Sequence, residues 1–148
     1  MLRTLYRSVL LVLLATQACG TVQEKPTVDV TGTWQGSTVT SCGVILFDKG
    51  RCGAVQRITL TLFQEGADVN GTYRCVFGTM VCRNMNDGGR VVSSSVMGSL
   101  ARLRVMLPDG SSCLFDGHFN ADSAGGNFFC YQGAGLVEQG EWKVARLY

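Results

Sequence analysis

The chain predicts an all-β fold, an eight-stranded antiparallel up-and-down barrel. Three observations carry this. Apolar and polar residues alternate at period two in several stretches, the mark of a half-buried strand. Nineteen glycines against two prolines in 148 residues punctuate those stretches at short intervals. Beyond the first 18 residues no stretch keeps a helical period over ten residues. An open sheet of this length leaves edges and one apolar face bare, and closure removes both. Eight strands enclose an interior that side chains fill or that holds one small ligand. A β-sandwich is the alternative.

Each element follows from the pattern. Val30 to Gly36 alternates, with Val30, Gly32, Trp34 and Gly36 on one face. Residues 38–54 read as irregular, with an Asp48-Lys49-Gly50 turn. Gln56 to Phe63 is the cleanest strand: Ile58, Leu60 and Leu62 face a core while Thr59 and Thr61 face out. Glu65 to Asp68 turns the chain into a strand from Val69 to Cys75. Phe77-Gly78-Thr79-Met80 suits a two-residue hairpin turn that sets Cys75 opposite Cys82. Asn86 to Gly89 reads as a turn and Arg90 to Met97 as a strand. In Leu100 to Leu107, Ala101, Leu103, Val105 and Leu107 share one side, with Arg102 and Arg104 on the other. Pro108-Asp109-Gly110 turns the chain, and Cys113 to Phe119 alternates. Ala121 to Gly126 reads as a turn, Asn127 to Tyr131 as a strand, and Glu141 to Tyr148 as the last strand. Gly133-Ala134-Gly135 and Glu138-Gln139-Gly140 flank a weak link before it.

The N-terminus carries Arg3 and Arg7, then the apolar run Val9 to Leu14, then small and polar residues up to Ala18. This is a secretory signal, too short to span a bilayer. Cys19 directly behind it resembles the bacterial lipoprotein signal. The resemblance implies removal of residues 1–18, acylation of Cys19, a tether over 19–29 and one domain over 30–148. An ordinary secretory cut nearby, leaving Cys19 a free thiol, is the competing reading. Of seven cysteines, Cys19 set aside leaves Cys42, Cys52, Cys75, Cys82, Cys113 and Cys130. An even set in an exported chain reads as a disulfide framework of an oxidising compartment. About fifteen pairings are open to six cysteines; a meander favours the neighbours Cys42–Cys52, Cys75–Cys82 and Cys113–Cys130. No CxxC pair is present and His118 is the sole histidine, which argues against a zinc site. The expected location is the bacterial cell envelope, lipid-anchored on the periplasmic or surface side. Gly20 after Cys19 is compatible with the outer membrane.

Without residues 1–18 the chain has 11 Lys+Arg against 11 Asp+Glu, and no basic run survives. That argues against a nucleic-acid partner. A lipid anchor would tie the domain to a membrane without burying it.

Gly32-Thr33-Trp34 on the first strand, with Arg146 near the end of the last, is similar to the signature of the calycin superfamily: lipocalins, fatty-acid-binding proteins and avidins. The resemblance implies that Trp34 closes one barrel end with Arg146 packed across it, and that a small apolar ligand sits inside. An indole plugs a narrow end well, and a guanidinium stacks on its face. Val69 to Tyr73 resembles an early strand of avidin-like barrels. A smaller resemblance is to bacterial periplasmic metalloprotease inhibitors, which implies inhibition by an N-terminal segment, here residues 21–29.

No catalytic constellation emerges, and no cofactor or metal is expected. His118 lies near Asp116 and Asp122, but the alternation turns Asp116 and His118 to solvent. There is no G-x-S-x-G elbow. Asp68, Asn70 and Asp109 lack the ligand density of a calcium loop. Gly88-Gly89 and Gly125-Gly126 precede no helix, so they are not phosphate loops. Trp34, Phe115, Phe119, Phe128, Phe129, Tyr131 and Trp142 either line an apolar pocket or fill a core. Arg102 and Arg104 either bind an anion or form a solvated face. The expected function is that of a non-catalytic envelope domain binding a small apolar ligand or a protein partner. A protease inhibitor or a structural subunit of an envelope complex is the alternative.

Overall fold

In a computed structural model, residues 24–42, 52–76 and 88–148 are described. Eight strands run through them: β1 Gly32–Thr40, β2 Val55–Glu65, β3 Asp68–Val76, β4 Gly88–Met97, β5 Leu100–Met106, β6 Ser112–Phe119, β7 Ser123–Gln132 and β8 Gly135–Leu147. Each pairs antiparallel with the next, and β8 pairs with β1 from Thr33↔Leu147 to Thr40↔Gly140. The sheet is therefore a closed up-and-down barrel and not a sandwich. Closure leaves no free edge to recruit another strand.

The alternation read from the sequence sets which side faces in. Ile58, Leu60, Leu62, Ala101, Leu103, Val105, Phe115 and Phe119 are all buried. Arg57 on β2, Arg74 on β3, Arg102 and Arg104 on β5, and Glu141 and Lys143 on β8 are exposed. Apolar in and charged out is the reverse of a barrel that crosses a membrane, whose outward band is apolar.

Four sequence expectations are corrected. β1 continues to Thr40, through residues read as irregular, because Thr38 and Thr40 point inward between β2 and β8. Gly88-Gly89 and Gly125-Gly126 lie inside β4 and β7 rather than in turns. The link expected around 138–140 is interior to β8, where Glu138 is fully buried. Gly89, Gly125, Gly126 and Gly140 serve close approach between neighbouring elements. A Cβ on Gly126 would lie 2.1 Å from the Asp116 carbonyl oxygen, and one on Gly140 would lie 2.0 Å from that of Val39. Glycine here lets strands bend and press together, a role the sequence does not separate from turning.

The run Ser93-Ser94-Ser95 makes a bulge. The β4–β5 register shifts between Val92 and Ser95, and Ser93 takes φ +48°. Ser94 Oγ accepts from Arg104 N at 2.8 Å and donates to the Val92 carbonyl at 3.0 Å, filling the gap in the ladder.

Candidate functional site

The barrel has two unlike ends. At one, the chain enters as an extended strap over residues 24–31. Thr27 N donates to the Gly98 carbonyl at 2.8 Å and Val30 N to Gln64 Oε1 at 2.8 Å. Val28 and Val30 pack against the core. Trp34 lies behind the strap, fully buried, with Nε1 donating to the Val30 carbonyl at 2.8 Å. Arg146 stacks its guanidinium 4.4 Å from the Trp34 ring and donates to the carbonyls of Thr31 and Asp29. Hydrogen bonds from Thr31, its hydroxyl first and its backbone N–H second, hold the Asp29 carboxyl below the usual range. Of the expected tether, the described part, Glu24 to Asp29, is thus laid on the barrel. We call this the closed end.

The opposite end, the mouth, gathers the cysteines. Cys42 is bonded to Cys52 just beyond β1, and Cys113 to Cys130 between directly opposed positions of β6 and β7. These are two of the three neighbour pairs expected. Cys75, at the same end of β3, is also disulfide-bonded. Its expected partner Cys82 lies outside the described residues, as do Cys19 and the Phe77–Met80 turn.

Between the ends the interior is occupied by side chains. Rings run in contact from Trp34 to Phe119 (5.0 Å), Trp142 (5.8 Å), Phe115 (5.9 Å) and Phe128 (5.8 Å), with Tyr73 5.7 Å from Phe115. Phe129 and Tyr131 are not part of this column; they sit half-buried on the outer wall. Above the rings, toward the mouth, lie the buried polar side chains of Thr38, Thr40, Gln56 and Glu138. Thr40 Oγ1 donates to Glu138 Oε1 at 2.6 Å. Thr38 Oγ1 is buried with no partner among the described residues. Burial first, and the nearby Glu138 charge second, push the Tyr73 phenol well above its usual pKa.

Among the described residues a concave surface lies on the outside of the barrel. A trough of about 690 Å³ runs over β6, β7, β8 and β1, walled by Ser37, His118, Asn127, Glu141 and Lys143 and floored by Gly125-Gly126. His118, Gly125, Lys143 and Ser37 form one row across four strands. Gly125 supplies no side chain to that row. On the inner side the Trp142 indole presses against Gly117, where a Cβ would meet it at 2.6 Å. Trp142 Nε1 donates to the Asp116 carbonyl at 3.2 Å.

The remaining polar candidates sit on the solvated wall. Asp116 and His118 face outward. Asp116 is bidentate with Arg102 across β5 and β6, at 2.9 and 3.2 Å. Ser99 Oγ lies 3.2 Å from His118 Nδ1. Among the described residues no group of three or more His, Cys, Asp or Glu is placed to hold a metal. The trough and the buried polar layer were not found from sequence; the layer's only signal was polar residues at inward parity, Thr38, Thr40 and Gln56.

Fold and site define a small, polar-walled closed barrel with a side-chain-filled interior and an external trough. No protein family, curated protein or solved structure matches the chain.

Proposed function

We propose that this is a non-catalytic, lipid-anchored domain of the bacterial cell envelope that binds a protein partner on its outer wall, with the trough over β6, β7, β8 and β1 as the contact. The observation that carries the reading is the column of packed rings on the barrel axis. Those rings take space that a small apolar ligand would need, and among the described residues the external trough offers a concave surface to a partner. The trough's neutral balance, Lys143 against Glu141 on β8, with Ser37 and Asn127 on the strands to either side, suits hydrogen bonding to a polypeptide surface. Closure of the sheet means the partner must dock through side chains and not by adding a strand.

The signal ahead of Cys19 supports export and acylation, and the disulfides support an oxidising compartment. The Trp34–Arg146 stack supports the calycin reading of the closed end. The inhibitor alternative is disfavoured by the strap, since residues 27–31 are held on the barrel.

A photo-crosslinking residue placed at Asn127 in the trough, and separately at Arg74 on the far wall, tests the reading in intact cells. One discrete protein adduct from position 127 and none from position 74 is expected. No adduct at 127, or equal adducts at both, would count against it.

A further inference from the structure

We infer that the closed end of the barrel rests on a lipid surface with neutral or zwitterionic headgroups, so that the cysteine-bearing mouth points away from the membrane. The inference rests on the acylation of Cys19 proposed above.

Chain length sets the geometry. Five residue steps separate Cys19 from Glu24, the first described residue. Fully extended, they reach at most about 18 Å. Glu24 sits against the β4–β5 turn, its carboxylate 2.9 Å from where a Gly98 Cβ would stand. The strap then crosses the closed end, fixed by Gly98, Gln64 and Arg146. An acyl chain on Cys19 therefore holds this end within about 18 Å of the headgroups. The 13-residue β8 puts the mouth on the order of 30 Å further away, at a strand rise of about 3.3 Å and a tilt near 40°.

The rim of the closed end is apolar on several sides. Phe63 near the end of β2 is 56% exposed, Leu147 at the end of β8 is 50% exposed, and Met97 and Leu100 flank the β4–β5 turn. Tyr148 extends beyond β8, its hydroxyl donating to Asp122. Singly such residues need no explanation. Comparable residues, Val39, Val55, Val76, Met106 and Leu136, stand around the mouth; what sets the closed-end group on β2, β4, β5 and β8 apart is that the lipid is tied there. The long walls carry Arg57, Arg74, Arg102 and Lys143 and suit water. One acyl chain binds membranes only marginally, and a second contact makes the attachment stable.

The headgroup preference follows from charge. Glu24, Glu65, Asp68 and Asp122 lie at this end, with Lys25 and the clamped Arg146 as cations. Anionic lipid repels such an end, within a range set by salt.

The test uses the full acylated protein in vesicles of brominated phosphatidylcholine, with Leu100→Trp as the closed-end reporter and Leu136→Trp as the mouth reporter. Several-fold stronger quenching of the Leu100→Trp signal is expected. Added phosphatidylglycerol should weaken it, and salt should restore it. Phe63→Ser with Leu147→Ser should reduce it while circular dichroism stays that of the parent. Equal quenching of the two reporters, stronger quenching at position 136, or strengthening by phosphatidylglycerol would overturn the inference. The intact mass reports acylation independently. If Cys19 carries no acyl chain, the acylation proposal fails by itself. The same reporters, with a maleimide lipid coupled to Cys19, then decide the rim alone.

Discussion

Arg146 lies with its guanidinium 4.4 Å from the centre of the Trp34 indole and donates at 2.9 Å to the Thr31 carbonyl. One side chain from the last strand thus covers the plug of the barrel and ties down the entering chain. Arg146→Ala should lower unfolding free energy by about 2–3 kcal/mol, from a stacked cation and charge-assisted hydrogen bonds to backbone. Arg146→Lys should recover less than half, because an ammonium lacks the planar fork. Urea midpoints followed by tryptophan fluorescence check both; full recovery by lysine would show that only charge matters.

The Trp34–Arg146 pair was legible through the resemblance of Gly32-Thr33-Trp34 and Arg146 to the calycin signature, on a first strand whose period-two parity sets Trp34 on one face with Val30. The same parity placed Ile58, Leu60, Leu103 and Phe115 inside. It failed where glycine changed its meaning. Gly125-Gly126 and Gly140 look like turns in sequence, yet each lets a strand pass close to its neighbour. Glu138 looked like part of a polar link, since nothing local shows that Thr40, 98 residues away, supplies a donor. The trough is a product of register between β6, β7, β8 and β1, and register is not written in any one strand.

Thr38 Oγ1 is buried without a partner among the described residues. Thr38→Val keeps the branched shape and removes the unsatisfied hydroxyl. It should be neutral or stabilising by up to about 1 kcal/mol. Thermal unfolding decides this, and a clear loss of stability would mean that the hydroxyl holds a bound water or ligand.

Tyr73 sets an alkaline limit. Burial raises its folded pKa well above 10.0, so only the unfolded chain ionises it just above that value. The unfolded state then binds fewer protons than the folded one, and stability falls as pH rises. The stabilisation is complete below about pH 10 and declines through the folded pKa. Tyr73→Phe should flatten that limb by up to about 1.4 kcal/mol per pH unit. Urea unfolding at pH 9 to 11.5 measures it; parallel curves for variant and parent would contradict it.

Cys113 and Cys130 face each other across β6 and β7, 17 residues apart in sequence and both buried. Replacing both with alanine should cost about 3 kcal/mol, the loop-closure effect for a link of this span. In the folded parent, mild reductant with iodoacetamide should leave both unlabelled, whereas Cys52, itself exposed, should react first. Mass mapping of the alkylated peptides gives the order, and early labelling at Cys113 would show that the barrel opens.

Native mass spectrometry of the domain, taken from its own membrane without reduction, tests the central claim most directly: that the barrel interior is a core and binding is external. The account predicts a mass with three disulfides and an acylated Cys19, and no small molecule retained. A stoichiometric apolar molecule that survives transfer would contradict it, because the ring column from Trp34 to Phe128 would then have to part to admit a ligand.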